Sequence, residues 1–265
     1  MPNSTEALTS SDFEIRTRKP RILFFDIETS SLTVKTWRTY QADAIKVVQT
    51  WQMLCWSAKW QDGKHITRTL MDYEGYDPST NCDKALTTEL AGLLEQADII
   101  IGHNSDKFDT KKVNTRMIIH GLNPIPQAKS VDTLKLARQR FAFHSNKLDT
   151  LGDLLGVGRK AQTGGYDLWE QCIAGDQKAW RKMAKYCRQD VVLLEAVYNK
   201  LKSWAVNHPN VSVMNEIEDG CKVCGGTSLR RKGWCYERTG KSQRWLCNDC
   251  GHYQRGKFIK TTDIR

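Results

Sequence analysis

The sequence predicts an α/β protein in which helices cover both faces of a mixed sheet, followed by a small C-terminal metal-binding unit. Three observations support this fold class. Strand-like runs rich in β-branched and aromatic residues alternate with segments of helical spacing. The isoleucine run at 99–101 is typical of a strand in a sheet covered on both faces. Five of the nine cysteines lie in the last 45 residues, which favours a metal site over a disulfide framework in an intracellular chain.

The individual elements follow from the spacing of apolar residues and from turn signals. The first strand begins at Ile22 and ends at Glu28, and residues 61–64 form the turn of a hairpin between the next two strands. In chain order, the predicted strands are 22–28, 45–60, 65–71, 98–102 and the start of 130–137. The predicted helices are 84–96, a segment from 102 to about 120, the end of 130–137, 148–155, and 175–202 with a break near Cys187.

Composition divides the chain into four parts. We expect a flexible N-terminal arm (1–18), a large α/β domain (19–206), a linker beginning at an Asn-His-Pro-Asn turn (207–218) and a cysteine-rich unit with a basic tail (219–265). No apolar run approaches the ~18 residues of a membrane span, and the N-terminus has no apolar signal core. We therefore expect an intracellular protein without membrane association.

Positive charge is concentrated near the C-terminus. The whole chain has a formal net charge of +10, and residues 221–265 hold eleven Lys and Arg against three acidic residues, an excess of eight. A basic segment on a nearly neutral body favours a polyanionic partner, most simply nucleic acid. A solubilising surface is the alternative that charge alone leaves open.

Two carboxylates, Asp26 and Glu28, lie at the end of the first strand. Because side chains alternate along a strand, both point to one face, roughly 6.5–7 Å apart. This width suits a pair of hard cations about 3.5–4 Å apart. A surface turn is the alternative, since acidic pairs with this spacing recur at 12–14 and 216–218. Neither of those pairs follows a strand-like apolar run.

Three more polar residues lie on predicted helices. Asp109 occupies the first turns of a helix that directly follows a buried strand. Tyr186 and Asp190 are four residues apart on the last long helix and therefore share a face. Apolar residues further along the same helix would pack that helix against the sheet.

These residues form motifs that resemble a known superfamily. Phe25-Asp26-Ile27-Glu28-Thr29, Asn104-x3-Phe108-Asp109 and Tyr186-x3-Asp190 resemble, in order and spacing, the three motifs of the DEDD superfamily of 3′–5′ exonucleases. The tyrosine indicates the branch typified by proofreading domains and ribonuclease D. The resemblance spans about residues 20–202. The whole layout is similar to small phage and bacterial ribonuclease-H-like exonucleases with a C-terminal zinc ribbon.

The resemblance implies a ribonuclease-H-like fold and a cytoplasmic enzyme of a bacterial or phage-infected cell. It also implies a set of catalytic residues in which the four carboxylates bind two Mg²⁺ or Mn²⁺ ions: Asp26, Glu28, Asp109, Tyr186 and Asp190. The chemistry agrees, because four carboxylates balance two divalent ions and hard oxygen ligands suit these metals. Tyr186, with an ordinary pKa of about 10, would orient the attacking water rather than act as a strong base.

A histidine-containing arrangement competes with the last motif. His144-x4-Asp149 has the spacing used by the histidine branch of the same superfamily. Its position, well ahead of the final helix, fits that branch poorly, so we favour Tyr186 and Asp190. Asp149 would then simply begin the next helix, and Tyr186 taken alone would be an ordinary residue of an amphipathic helix.

Several nearby residues keep two interpretations. Asn104 either holds the substrate strand or caps the following helix. Phe108 either stacks on a terminal base or packs in the core. Lys160, beside glycines that lack a full phosphate-loop pattern, either touches phosphate or is an ordinary solvated lysine. Asp132 is usually a supporting residue in the family and not a metal ligand.

The C-terminal cysteines predict a zinc ribbon. Cys221-x2-Cys224 and Cys247-x2-Cys250 are separated by 22 residues, with strands expected at 228–232 and 243–246. Zinc held by four thiolates would be structural, because such a site has no open position for chemistry. Cys235 lies outside this spacing, and His252 is a substitute ligand that four thiolates make unnecessary.

Basic and aromatic residues interleave between the two cysteine pairs, with Trp234 among them. The residues that we expect to contact nucleic acid are Arg230, Arg231, Lys232, Arg244 and Trp245. A protein-docking ribbon is the alternative.

The expected function is a metal-dependent 3′–5′ exonuclease that acts on DNA or RNA. Its expected partners are single-stranded 3′ ends and a polymerase or other replication protein. A structure-selective endonuclease on the same fold and a non-catalytic nucleic-acid-binding or recruitment module are the two alternatives.

Overall fold

The computed structural model describes residues 19–40, 43–77 and 82–264, so the N-terminal arm predicted at 1–18 lies outside the described residues. The strands are β1 (Ile22–Thr29), β2 (Thr33–Lys35), β3 (Lys46–Gln49), β4 (Met53–Trp60), β5 (His65–Thr69), β6 (Ile99–Gly102), β7 (Lys129–Asp132), β8 (Leu229–Glu237), β9 (Gly240–Cys247) and β10 (Tyr253–Lys260). The helices are α1 (Lys84–Glu95), α2 (Asp109–Ile119), α3 (Thr133–Arg140), α4 (Leu148–Leu154), α5 (Asp167–Ile173), α6 (Gln177–Leu201) and α7 (Val211–Met214).

A five-stranded mixed sheet with the order β5-β4-β1-β6-β7 forms the centre of the large domain. β1 pairs antiparallel with β4 and parallel with β6, and β7 continues the parallel half. β4 and β5 form the predicted antiparallel hairpin. The predicted mixed sheet is therefore confirmed, with β1 at its centre.

The two faces of β1 are buried in two separate clusters of apolar side chains. Leu23, Phe25 and Ile27 pack with α1, α2 and the first half of α6. Ile22 and Phe24 pack on the other face with α3, α4 and the second half of α6. This alternation confirms helices on both faces of the sheet. It also places Asp26 and Glu28 on the Ile22 face, beyond the last apolar residue of that row.

The predicted strand at 45–60 is interrupted in the structure. β3 ends at Gln49, β4 begins at Met53, and β3 pairs with β2 in a separate two-stranded sheet. The junction is fixed by two hydrogen bonds, from Ser30 N to Gln52 O (2.9 Å) and from Gln52 N to Ser30 Oγ (3.0 Å). The prediction of one continuous strand is therefore wrong. Both halves are rich in β-branched residues, and this composition does not reveal that β3 and β4 pair with different strands.

The helices differ from prediction at several places, and α2 begins at Asp109 and not near residue 102. α5 was not predicted, and α6 runs without a break through Cys187. Cys187 is fully buried, with its thiol 3.7 Å from the carbonyl oxygen of Asp26. The side chain of Asp176 caps α6 by accepting hydrogen bonds from the amides of Lys178 and Ala179. Among the described helices, none has both the length and the apolar character that a membrane crossing requires.

The C-terminal unit is a three-stranded antiparallel sheet in the order β10-β9-β8. The strands predicted at 228–232 and 243–246 correspond to β8 and β9, whereas β10 was not predicted. α7 falls within the predicted linker (207–218), and Val211 at its start belongs to the core cluster around Phe24. Val211 N donates a hydrogen bond to Lys222 O (2.8 Å), and His252 Nδ1 donates one to Ser203 O (2.9 Å). The C-terminal unit therefore contacts the end of the large domain directly.

Candidate active site

Three carboxylates converge at the end of β1. Asp26, Glu28 and Asp190 each offer an oxygen, and these oxygens all lie within 4.8 Å of one another. Asp26 and Glu28 share a face because they are two residues apart on a strand. α6 brings Asp190 to the same place, although 162 residues separate Asp190 from Glu28 in sequence.

Asp109, at the first position of α2, lies directly beside this group. Its Oδ1 accepts a hydrogen bond from Ile27 N (3.1 Å), the amide between the two β1 carboxylates. The side chain is 3% exposed, and its charge is among the causes that raise the pKa of Asp26. The structure thus places Asp109 next to the group formed by Asp26, Glu28 and Asp190.

Burial, with neighbouring negative charge, disfavours the ionisation of all four carboxyl groups. Burial, followed by the charges of Asp109, Glu28 and Asp190, raises the pKa of Asp26 well above its usual range. Burial and the charge of Asp190 raise the pKa of Glu28 to about 8. Burial likewise raises the pKa of Asp109 to about 7 and that of Asp190 above its usual value. Such a cluster is held ionised most readily by nearby positive charge.

Lys160 supplies one positive charge to the cluster. Its Nζ donates to Asp190 Oδ2 (2.6 Å) and to the hydroxyl of Tyr186 (3.1 Å). Burial opposes the charged form, but the Asp190 carboxylate and Tyr186 raise the pKa of Lys160 above its ordinary value. The interpretation of Lys160 as a solvated lysine is wrong: its side chain is half-buried and paired. No local pattern marks it, because it lies in a glycine-rich loop far from the three motifs.

Tyr186 is a neutral phenol held in a fixed position. Burial and the charge of Asp190 raise its pKa above the ordinary value. Its ring packs edge-on against Trp169, with ring centroids 6.0 Å apart. Trp169, on the unpredicted α5, also lowers the pKa of Glu28, against the larger effect of burial. Trp169 was not predicted as a site residue, because the sequence of α5 has too weak a helical pattern.

The oxygens present at this site fit divalent cations. Asp190 Oδ2 is paired with Lys160, while Asp190 Oδ1 is buried and accepts no hydrogen bond from the described residues. Once ionised, the four carboxylates outnumber the nearby ammonium groups of Lys160 and Lys112, so the site would carry excess negative charge. Carboxylate oxygens are the ligands that Mg²⁺ and Mn²⁺ prefer, and added cations would favour the ionised form of all four carboxyl groups.

An open cleft of about 650 Å³ lies near the carboxylates, and part of the predicted substrate-contacting set borders it. Asn104 and Lys160 line it. Asn104 has a left-handed backbone (φ 67°), and its amide donates to Asp132 Oδ1 (2.9 Å), which also caps α3. Asp132 therefore supports Asn104. Phe108 is 39% exposed beside Asp109, an exposure that disfavours the core interpretation of this residue.

The competing histidine arrangement lies in the same cleft but outside the carboxylate group. His144 is exposed, and Asp149 Oδ1 accepts a hydrogen bond from Lys160 N (2.8 Å). Asp149 thus holds the backbone of Lys160. Asp190, and not Asp149, shares the three-carboxylate group with Asp26 and Glu28.

The four predicted cysteines form a second candidate metal site. Their sulfurs all lie within 4.8 Å of one another. The Sγ atoms of Cys221 and Cys250 are 3.6 Å apart, and those of Cys224 and Cys247 are 3.7 Å apart, with no disulfide among them. A Zn–S bond of about 2.3 Å implies a tetrahedral edge of about 3.8 Å, so these spacings fit zinc. A hydrogen bond with Cys250 chiefly lowers the pKa of Cys221 to about 4, which favours its thiolate.

Other residues of the C-terminal unit take roles outside this cluster. His252 bonds to the large domain through Nδ1 and is not a ligand candidate, while Cys235 lies on β8 as a free thiol.

The strand register divides the predicted nucleic-acid contacts between the two faces of the C-terminal sheet. Arg231 pairs across strands with Trp245, its guanidinium 5.6 Å from the ring centroid, whereas Arg244 pairs with Arg255. Arg230, Arg231, Lys232 and Arg244 are all exposed.

Comparison with known proteins identifies the family of the large domain. A family model for the RNase_H superfamily matches residues 23–202, more than half of the chain. The protein therefore belongs to the RNase_H superfamily, and the predicted ribonuclease-H-like fold is confirmed. This membership supports a nuclease with a nucleic-acid substrate. A search of curated proteins finds no match.

Among solved structures, the chain is similar to a family B DNA polymerase from the hyperthermophilic archaeon Pyrobaculum calidifontis. The TM-score is 0.51 with 18% sequence identity, over 84% of this chain and 32% of the polymerase. The chain thus corresponds to about a third of the length of that polymerase, and the likeness is one of fold.

Proposed function

We propose that this protein is a two-metal-ion 3′–5′ exonuclease that hydrolyses phosphodiester bonds of DNA or RNA from the 3′ end. The observation that carries the proposal is the convergence of Asp26, Glu28, Asp109 and Asp190 on one partly open site at the end of β1. The order and spacing of the motifs, which resemble those of the tyrosine branch, support the direction of hydrolysis.

The four carboxylates would hold two Mg²⁺ or Mn²⁺ ions. Bound there, such ions supply an activated water and stabilise charge on the leaving 3′ oxygen. Asp26 and Glu28 would provide oxygens from a rigid strand. Asp109 would keep one oxygen on Ile27 N and offer the other. Asp190 would offer Oδ1, because Oδ2 is held by Lys160.

Tyr186 and Lys160 would position the attacking water and its surroundings. The hydroxyl of Tyr186 accepts a hydrogen bond from Lys160 and keeps its own proton to donate, since its raised pKa keeps the phenol neutral. Tyr186 would therefore orient water as a donor and not remove its proton. Lys160 would hold the side chains of Tyr186 and Asp190 in fixed positions. Asn104 and Phe108 would contact the terminal nucleotide.

The zinc ribbon would add affinity for nucleic acid. One structural Zn²⁺ held by Cys221, Cys224, Cys247 and Cys250 would order the strands that present Arg230, Arg231, Lys232, Arg244 and Trp245. Because these side chains occupy both faces of the sheet, Arg231 with Trp245 and Arg244 with its neighbours would contact different parts of a substrate. A polymerase or other replication protein remains a proposed partner.

The test compares substrates with and without a free 3′ end. The full chain is incubated with 5′-labelled single-stranded DNA, duplex DNA and RNA, and with circular single-stranded DNA, each with Mg²⁺ or Mn²⁺. We expect stepwise shortening of linear strands and no cleavage of the circle. Cleavage of the circle would support the endonuclease instead. Binding without hydrolysis under every condition would support the non-catalytic module.

A further inference from the structure

A two-stranded hairpin projects from the chain directly after the carboxylates of β1. The aromatic hairpin, defined here as residues 32–40 and 43–49, contains β2 and β3 and returns to the sheet at β4. Trp37 follows Glu28 by nine residues, which limits their separation to about 30 Å. Trp37 therefore lies within about 30 Å of the candidate active site.

The side chains of the aromatic hairpin are unusually exposed. Trp37 is 89% exposed and Tyr40 is 84% exposed. Four further apolar side chains are at least half exposed: Leu32, Ile45, Val47 and Val48. A two-stranded hairpin gains little stability by itself, and a cluster of exposed apolar side chains on a folded protein marks an interaction surface.

Hydrogen bonds fix the base of the aromatic hairpin, even though the side chains of the hairpin itself are exposed. Ser30 and Gln52, both buried, exchange two hydrogen bonds where the hairpin leaves the sheet. Beside them, Lys112 Nζ donates to Thr29 Oγ1 (2.9 Å) and lies 3.9 Å from the ring centroid of Trp51. The hairpin therefore has a defined root next to Glu28.

A row of aromatic side chains connects this root to the candidate active site. Tyr186 packs against Trp169, and Trp169 stacks on Tyr166 with parallel rings whose centroids are 6.4 Å apart. The hydroxyl of Tyr166 hydrogen-bonds to Ser31, the residue before the aromatic hairpin. Aromatic surface thus continues from Tyr186 at the carboxylates to the base of the hairpin.

The charge of the aromatic hairpin identifies the class of its partner. Lys35, Arg38 and Lys46 are exposed, against one acidic residue, Asp43. Rings that offer a stacking surface, placed among cations, are the combination by which proteins hold single-stranded nucleic acid. We propose that the aromatic hairpin binds the single strand that leads to the active site, with Trp37 and Tyr40 stacking on unpaired bases and the three cations contacting phosphates. This inference rests on the proposed function.

The test measures binding as a function of strand length. The full chain carrying Asp109→Asn is titrated against 5′-fluorescein oligothymidylates of 4 and 16 nucleotides, without added Mg²⁺ or Mn²⁺, by fluorescence anisotropy. Adding Trp37→Ala and Tyr40→Ala should weaken binding of the 16-mer about tenfold or more, because stacking on two rings is lost. Binding of the 4-mer, which the carboxylate site alone can accommodate, should change less than about twofold. Ile118→Ala, which removes an exposed apolar side chain on α2, is the matched control.

A charge variant gives a second, independent measurement. Lys35→Gln with Lys46→Gln should lower the slope of log Kd against log salt for the 16-mer by about 1.4, at about 0.7 for each phosphate contact. Unchanged 16-mer affinity in the aromatic variant, or an equal loss at both lengths, would overturn the hairpin proposal.

Release of nucleotides by the unsubstituted chain with Mn²⁺ tests the proposed function separately. If that release occurs while the hairpin variants bind normally, the hairpin proposal alone fails and a protein partner for the hairpin is indicated. If the chain neither binds the oligonucleotides nor releases nucleotides, both proposals fail.

Discussion

Lys160 Nζ lies 2.6 Å from Asp190 Oδ2 and 3.1 Å from the hydroxyl of Tyr186, so a single ammonium group joins the two residues of the third motif. The lysine comes from the loop between α4 and α5, whereas both of its partners lie on α6. This arrangement leaves Asp190 Oδ1 free and fixes the phenol against Trp169. Lys160 therefore fixes the positions of the Asp190 carboxylate and the Tyr186 hydroxyl, the two groups that α6 contributes to the site.

We predict that Lys160→Met lowers kcat by about 100-fold, because a charge-assisted contact that positions two active-site groups is lost. Lys160 also lowers the pKa of Asp190, so its removal should shift the rise of kcat/KM with pH to higher pH. A kcat/KM profile between pH 5.5 and 9 measures both effects. Lys182→Met, which removes an exposed lysine bonded to Thr163 O, is the control. An unshifted profile with normal kcat would show that the lysine is dispensable.

Asp109→Asn should abolish hydrolysis while raising the stability of the protein free of Mg²⁺ and Mn²⁺. The asparagine oxygen can still accept the hydrogen bond from Ile27 N, and a buried charge is removed. The rise in the pKa of Asp109 to about 7 corresponds to an upper limit of about 4 kcal/mol. We expect the Tm at pH 8 to rise by about 3 °C or more. Asp109→Ala, which loses the acceptor as well, should gain less or lose stability, and a lower Tm in the asparagine variant would contradict a shared carboxylate site.

The stability of the Mg²⁺-free protein should fall as pH rises from about 5 to 8. Glu28 and Asp109 have pKa values raised to about 8 and about 7 in the folded protein, above those of the unfolded chain. At a pH between the pKa in the unfolded chain and the raised pKa in the folded protein, the folded state binds more protons than the unfolded state. Raising the pH through this interval therefore favours unfolding. Thermal unfolding in matched buffers measures the slope. Saturating Mg²⁺ should reverse it, and Asp109→Asn should reduce it; a slope that neither change alters would exclude the cluster as its cause.

Tyr186→Phe should lower kcat by about 10- to 100-fold without changing the pH dependence, because the phenol is neutral throughout the working range. Single-turnover kinetics with a labelled oligonucleotide separates this effect from binding. Tyr198→Phe is a control on the same helix. It loses a partly buried hydrogen bond to His208, so it should lower the Tm while leaving kcat intact. A pH profile altered by Tyr186→Phe would show that the tyrosine titrates after all.

The triple variant Arg230→Gln, Arg231→Gln and Lys232→Gln should reduce the dependence of binding on salt while leaving the hydrolytic step unchanged. Each lost phosphate contact lowers the slope of log Kd against log salt by about 0.7 on single strands, about 2 in total. Single-turnover rates at saturating protein measure the hydrolytic step. An unchanged slope would favour the protein-docking alternative. Substitution is preferable to deletion of 219–265, because that unit hydrogen-bonds to α7 and to Ser203.

Much of the site could be predicted because its chemistry is encoded in local patterns. Strand alternation placed Asp26 and Glu28 on one face, helical spacing placed Tyr186 with Asp190, and the cysteine pairs marked their own cluster. These relationships depend on backbone periodicity within a few residues, which a sequence displays directly.

Lys160, Trp169 and the aromatic hairpin could not be predicted in the same way. Lys160 and Trp169 reach the site from a loop and a short helix, so their contacts depend on how distant segments pack. The interruption at Gln52 depends on hydrogen bonds to Ser30, and a β-branched run looks the same whether it pairs with one strand or with two.

The sequence by itself determined the class of fold, the identity of the carboxylates and cysteines, and the concentration of positive charge at the C-terminus. Only the tertiary structure decided that the ammonium group of Lys160 accompanies the carboxylates. It also decided how the basic side chains divide between the two faces of the C-terminal sheet, and that a hairpin with exposed aromatic rings begins beside Glu28. The physical reason is that periodicity and residue type act locally, whereas burial, pairing and charge proximity exist only after remote segments have packed together.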